Sequence, residues 1–210
     1  MKLHIVPGSP SSRKVEAVIR HLGLEIEIQE HNFFASGLRK PTYLALNPNA
    51  RVPTLEDGDF VLWESNAITQ YLADRAGGDE LFPRQAQARA AIVRWQFWEL
   101  AHFNRAFGVL AFETVAKPRR GLQTDAAAVA LAQAELARCA PVLESHIMGR
   151  EYLVGDAVTL ADYAMIPFEG YRSLVPFDWA PYSELNAYFD RMSRLEPWVR
   201  SKRIPLPAAA

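Results

Sequence analysis

Two apolar periods meet within the first thirty residues. Val15, Val18, Ile19 and Leu22 recur at i, i+3, i+4 and i+7, one face of a helix, and Gly23 stands where a helix-ending glycine belongs. Directly afterwards Leu24, Ile26 and Ile28 alternate with Glu25, Glu27 and Gln29, the period of a strand. Ahead of both, Lys2 to Val6 reads as a short buried strand closed by the turn Pro7-Gly8-Ser9-Pro10. Strand, helix and strand within 28 residues make a βαβ unit, which crosses over right-handed into a parallel pair.

The pattern then changes. After the polar stretch His31 to Lys40 and a short helical piece, Pro41 to Leu46, the apolar runs Val52–Leu55 and Phe60–Trp63 flank Glu56-Asp57-Gly58-Asp59, a hairpin signal. Ile68, Tyr71 and Leu72 continue as a helix that fades at Arg75 to Gly78. The order β-α-β-α-β-β-α predicts a thioredoxin-like α/β domain over 1–78, followed by a linker over 79–86 and an all-helical domain over 87–210. In that second part, Arg89 to Phe112 carries Trp95, Phe97, Trp98, Phe103, Phe107 and Phe112, too many rings for one narrow stripe. Val129, Ala132, Leu136, Cys139, Leu143 and Ile147 mark an amphipathic helix over Thr124 to Met148, with Pro141 expected to kink it. Val158-Thr159-Leu160-Ala161-Asp162-Tyr163 reads as a helix start with Thr159 and Asp162 as a capping box. Tyr182 to Ser193 gives another helix, and the tail after Ile204 is expected to be loose.

Composition narrows the function. The formal net charge is −1, and the halves are balanced, 8 basic against 11 acidic residues in 1–80 and 15 against 13 in 81–210. Neither a nucleic-acid surface nor a polybasic membrane surface is expected, since both need clustered Lys and Arg. Cys139 is the only cysteine, which excludes disulfide frameworks, CxxC redox pairs and Cys-based zinc sites within one chain. His4, His21, His31, His102 and His146 show no metal-ligand spacing, so no metal is expected. No signal peptide is read, no stretch is taken as a membrane span, and the expected location is the cytoplasm.

Three motifs, in order and at their spacing, carry a resemblance over nearly the whole chain. They are Pro7-Gly8-Ser9-Pro10-Ser11-Ser12-Arg13-Lys14-Val15, the run Leu46-Asn47-Pro48-Asn49-Ala50-Arg51-Val52-Pro53-Thr54-Leu55 with Glu64-Ser65 nine residues later, and the Thr159–Asp162 box. Together they resemble the cytosolic glutathione transferases, in particular the serine type on the theta, phi or nu side. From the residues alone Ser9 before Pro10 is an ordinary helix cap, Val52-Pro53 an ordinary X-Pro, and Ser65 another cap.

The resemblance implies more for each. Ser9, with Ser11 as its rival, would hydrogen-bond the sulfur of glutathione and hold it as thiolate. Val52, before a cis Pro53, would pair with the cysteinyl backbone. Glu64 and Ser65 would seat the γ-glutamyl end, and cations among Arg39, Lys40 and Arg51 the glycyl carboxylate. His102, Phe103, Arg105 and Phe107 would line the acceptor pocket. The implied activity is conjugation of the glutathione thiolate to small, apolar electrophiles, with glutathione as co-substrate, no permanently bound cofactor and a homodimeric assembly. The alternatives are a glutathione-fold binding protein with little turnover, or a glutathione-dependent isomerase, dehalogenase or peroxidase. The Ser-Ser-Cys run usual in zeta-like isomerases is absent, since Arg13 follows Ser11-Ser12.

Overall fold

The computed structural model describes residues 1–32 and 36–201; part of the polar stretch and the tail after Ile204 lie outside them. The chain divides into two units. Met1–Phe82 together with residues 194–201 forms the first, and Pro83–Ser193 the second.

The first unit holds a four-stranded sheet of order β2-β1-β3-β4, built from β1 (Lys2–Ile5), β2 (Glu27–Glu30), β3 (Thr54–Asp57) and β4 (Phe60–Trp63). β1 and β2 are parallel, and the other two pairs are antiparallel. Helix α1 (Pro10–His21) makes the crossover, α2 (Pro41–Leu44) precedes β3, and α3 (Ser65–Ala76) follows β4 and ends on left-handed Gly77. Leu3, Ile5, Val15, Ile19, Leu55, Ile68 and Leu72 form the core between sheet and helices. The alternation over Leu24–Ile28 starts earlier than the strand. Leu24 and Ile26 pack on this core, but ladder pairing begins only at the Lys2–Glu27 register. The hairpin closes on the pair Asp57–Phe60, so its turn is Gly58-Asp59 and only Gly58 takes positive φ.

The domain boundaries expected from the sequence differ at the C-terminal side. Helix α9 (Glu196–Arg200) belongs to the first unit and not to the helical one. The reason lies in one pair: the Arg13 guanidinium stacks 3.5 Å from the Trp198 ring centroid and donates to the Trp198 carbonyl at 3.1 Å. Trp198 is fully buried. Such a contact combines ring burial with cation–π attraction and a hydrogen bond.

In the second unit α4 (Ala86–Trp98) and α5 (Asn104–Ala111) are joined by a π turn, Glu99–Phe103, and a second π turn follows at Phe112–Ala116. Each such turn shifts the helical register, so Trp95, Phe103, Phe107 and Leu110 enter the core while Phe97 and Phe112 stay exposed. α6 (Ala126–Ile147) buries Ala132, Leu136, Cys139, Leu143 and Ile147, and the helix runs on through Pro141. The 22-residue α6 contains an 18-residue window of mean hydropathy 1.3, long and apolar enough by length and composition alone to cross a membrane. Its buried stripe and its packing on α5 and α8 (Ser183–Met192) are those of a core helix.

The capping box at α7 (Leu160–Met165) is complete. Thr159 Oγ1 accepts from the Ala161 N–H, and Asp162 accepts from the Thr159 N–H at 2.8 Å. The same carboxylate also accepts from the Leu153 N–H at 2.9 Å, the Tyr188 hydroxyl at 3.0 Å and the Thr159 hydroxyl at 3.1 Å. Burial pushes the Asp162 carboxyl up from its ordinary range against the pull of these donors.

Candidate active site

Sheet register gathers the expected residues at one end of the first unit. β1 runs out through Ile5 and Val6 into the turn Pro7-Gly8-Ser9, where Gly8 takes φ of +84°. Antiparallel β3 pairs Thr54 with His4, so Pro53 and Val52 lie beside that same exit. β4 pairs Trp63 with Thr54, which sends Glu64-Ser65 off next to Pro53. An apolar cluster of Val6, Leu38 and Tyr43, with Leu46, Ala50 and Val52 against it, ties three loops together beneath the site. Leu38 brings Arg39 and Lys40 with it.

Ser9 caps α1: its Oγ accepts from the Ser12 N–H at 3.3 Å, and its own N–H donates to the Val6 carbonyl. A hydroxyl that caps by accepting keeps its proton for another partner. Among the described residues nothing accepts that proton, and Ser9 is only half-buried. Ser11, one residue into the helix, is also half-buried with no side-chain hydrogen bond among the described residues. Ser12 is turned inward, with its Oγ buried and unpartnered.

The Val52-Pro53 peptide is cis, as the resemblance implies. Among the described residues no hydrogen bond reaches the Val52 N–H or C=O, which leaves both unpaired as on an open strand edge. The residues that hold this loop were given no role of their own in the sequence, although Asn47 lies within the Leu46–Leu55 run. The Tyr43 hydroxyl donates to the Arg51 carbonyl and meets Thr54 Oγ1 at 2.9 Å, and Asn47 Nδ2 donates to the same two groups at 3.0 and 3.1 Å. Tyr43 and Asn47 are four residues apart, one on α2 and one just past it. Ala50 takes φ of 52° within the loop.

Glu64 takes φ of 73°, caps α3 without a side-chain bond and leaves its carboxylate exposed. Strain of this kind persists where the surrounding structure over-determines it. Ser65 follows at the first position of α3, buried, at the positive end of a twelve-residue helix. Arg39, Lys40 and Arg51 are exposed, and none has an ion-pair partner among the described residues.

The four residues expected to line an acceptor pocket do not come together. Phe103 and Phe107 are core, stacked on each other with centroids 6.0 Å apart and set edge-on to Phe168 at 4.9 and 5.0 Å. Both rings are buried, the packing that aromatic residues on such a helix more often have. His102 and Arg105 lie on the other side of the helix, in an open groove of about 340 Å³ shared with Val109, Leu131, Glu135 and Arg138. No group of side chains able to hold a metal occurs among the described residues.

The comparisons with known proteins bear on both units. The model of the glutathione S-transferase N-terminal domain matches residues 3–80, and that of the C-terminal domain matches residues 100–196. A glutathione S-transferase of Hyoscyamus muticus is 37% identical over 173 residues, covering 81% of this chain and 82% of the relative. The chain belongs to the glutathione S-transferase family. As a member of that family it is a transferase that conjugates glutathione, and its thioredoxin-like and helical parts are the two family domains. Glutathione S-transferase 3 of Zea mays is also 37% identical, over 80% of this chain and 77% of the relative. Among solved structures, glutathione transferase F7 of Populus trichocarpa superposes with a TM-score of 0.88 at 25% identity, covering 97% of this chain and 99% of that one. The theta-class enzyme of Xanthomonas axonopodis, solved with glutathione bound, gives 0.86 at 28% identity and covers 97% of each chain.

A pair of stacked histidines borders the site. His4 Nδ1 lies 2.9 Å from His31 Nε2, His4 Nε2 lies 2.7 Å from Glu56 Oε1, and the His31 ring meets Tyr43 edge-on at 4.8 Å. Burial, His4 and Lys40 hold the His31 imidazole below its ordinary 6.5, and burial does the same for His21. An imidazole lowered on folding stays neutral while the unfolded chain gains a proton. Stability is therefore full above about pH 6.5 and falls as pH drops below it. Thermal melts are expected to shift down between pH 7.5 and 5.5, and His31→Gln is expected to flatten that dependence.

Proposed function

We propose that this glutathione S-transferase binds glutathione extended across the end of the sheet and activates its thiol with the Ser9 hydroxyl. What carries the reading is that hydroxyl: it caps α1 through its lone pair and keeps its proton free at the sheet end where Val52 offers an unpaired backbone. Val52 then pairs with the cysteinyl backbone. The exposed Glu64 carboxylate meets the γ-glutamyl ammonium, and Ser65 at the start of α3 meets its carboxylate. The unpaired cations Arg39, Lys40 and Arg51 are the choices for the glycyl carboxylate, with Arg51 next to Val52 favoured.

The energetics close without a general base. A free thiol titrates near ~8.5, and lowering it by about two units requires ~2.7 kcal/mol of preference for the anion. A charge-assisted hydrogen bond supplies roughly 1.5–3 kcal/mol and the positive end of α1 a further ~0.3–1. Ionising the nucleophile and holding it beside an electrophilic carbon then provide the rate. The thiolate carbon bond forms as the electrophile's leaving group departs or its π bond opens, and the thiol proton passes to solvent.

The working assembly in this reading is a homodimer in the cytoplasm. It is supported by the exposed apolar side chains of the second unit, among them Val109 and Leu131, which line one groove. His102 and Arg105 then belong to the subunit face. Sedimentation should return twice 23.6 kDa.

Glutathione titrated against tryptophan emission should give a saturable change, and a panel of activated aryl halides and isothiocyanates should be consumed only in its presence. Binding without consumption of any electrophile would favour the binding-protein alternative, and no binding would end the reading.

A further inference from the structure

The sheet face turned away from the apolar core carries a chain of titratable side chains. Leu3, Ile5 and Leu55 are core, so alternation sends His4 and Glu56 to the opposite face. The links there run in one direction. A carboxylate only accepts, so His4 Nε2, 2.7 Å from Glu56 Oε1, is the N–H donor. In the neutral ring His4 Nδ1 is then a lone pair, and His31 Nε2, 2.9 Å away, donates to it. Of the ring nitrogens only His31 Nδ1 is left to take a proton. It lies toward the turn Ser36–Arg39, 3.8 Å from where a Cβ on Gly37 would stand. Among the described residues the charged and titratable groups around this ring are His4 and Glu56 on the strands, Lys40 ahead of α2 and the Tyr43 phenol on α2. Lys2 and Glu27, further along the same face, pair with each other at 3.5 Å.

Tyr43 rests on the two imidazoles. Its ring meets His31 edge-on at 4.8 Å and His4 at 5.6 Å, while its hydroxyl holds the Arg51 carbonyl and Thr54 Oγ1 on either side of Val52-Pro53. A proton on His31 Nδ1 sets a second positive charge near Lys40 in a half-buried place, and such a charge is relieved by turning toward water. Turning takes the ring off Tyr43. Resting on the reading that Val52 pairs with glutathione, we propose that His31 is a positioning residue that makes glutathione affinity depend on pH: neutral, it braces Tyr43 and so the Arg51–Thr54 loop, and protonated it lets that loop loosen. It touches no reacting atom. By reciprocity, a ligand on the braced loop holds the proton off.

The probe is S-methylglutathione, whose sulfur has no proton to lose, so that a pH dependence of its binding does not come from the thiol. Calorimetry is expected to find it bound about five- to ten-fold more weakly at pH 5.5 than at pH 7.5. His31→Gln keeps an amide N–H for His4 Nδ1 but takes up no proton, and should bind equally at both pH values. Glu56→Gln still accepts from His4 but removes the negative charge that favours a proton on the pair, so its transition should move to lower pH. That variant keeps the test intact if the His31 variant fails to fold. An affinity independent of pH in the unaltered protein, full pH dependence retained in His31→Gln, or an unmoved transition in Glu56→Gln overturns the proposal. Failure of the unaltered protein to bind either glutathione or its S-methyl form at pH 7.5 strikes the underlying reading instead.

Discussion

Ser9→Gly will fold with nearly unchanged stability and lose about one to two orders of magnitude in conjugation rate near pH 7. The two halves of that result separate the two roles of one hydroxyl. As a helix cap, Ser9 accepts from the Ser12 N–H; glycine is a tolerable cap, so that loss amounts to only a few tenths of a kcal/mol. Alanine at the same place costs about 1 kcal/mol, and Ser9→Ala should melt lower than Ser9→Gly. As a donor to sulfur the hydroxyl has no substitute in either variant. Loss of a charge-assisted hydrogen bond worth roughly 1.5–3 kcal/mol raises the pKa of the bound thiol by about one to two units. The rate should then recover as pH rises toward 9, whereas affinity for glutathione changes little. Absorbance of the bound thiolate followed against pH checks this directly. A variant with an unshifted profile would move the role to Ser11, and Ser11→Ala would be the next protein to titrate.

Asp162→Ala is expected to destabilise the protein by about 3–5 kcal/mol, the range for breaking a buried polar network. The side chain is almost fully buried and accepts four hydrogen bonds from three residues. Truncation strands the Leu153 N–H, the Thr159 N–H and the Tyr188 hydroxyl away from water, each at a cost of roughly 1–3 kcal/mol. For a chain of this size the melting point should drop by about 10 °C. Asp162→Asn keeps one carbonyl oxygen, so it can still accept from Leu153 and Tyr188 and should cost clearly less. Equal losses in the two variants would mean that charge, and not acceptor number, sets the strength of this knot.

The legible parts of this protein are those governed by spacing. The Val15-Val18-Ile19-Leu22 face, the Leu24–Ile28 alternation and the apolar runs around Gly58 were enough to order the first unit, because each period follows from local geometry. The Thr159–Asp162 box was visible for the same reason, although its further links to Leu153 and Tyr188 were not, since those partners are distant in sequence. Strand order placed Ser9, Val52 and Glu64 at one end of the sheet once the βαβ-hairpin pattern was read. What stayed hidden depended on which face of an element meets which neighbour. Phe103 and Phe107 were named for the acceptor pocket through the family resemblance, while the two π turns and the Phe168 packing around them leave no trace in local spacing. Nothing in local spacing marked Lys14 as buried or paired it with Asn66, 52 residues away. The grip that Tyr43 and Asn47 share on Arg51 and Thr54 was not legible, since no local period marks a side chain that holds a neighbouring loop.

The stacking of Arg13 on Trp198 has a bearing on how the chain comes off the ribosome. Arg13 is made 185 residues before Trp198. The amino-terminal unit must therefore wait, incompletely sealed, while more than a hundred intervening residues are translated. A stop codon placed after Phe82 would release a fragment missing its own closing piece, with α1 bare on one flank.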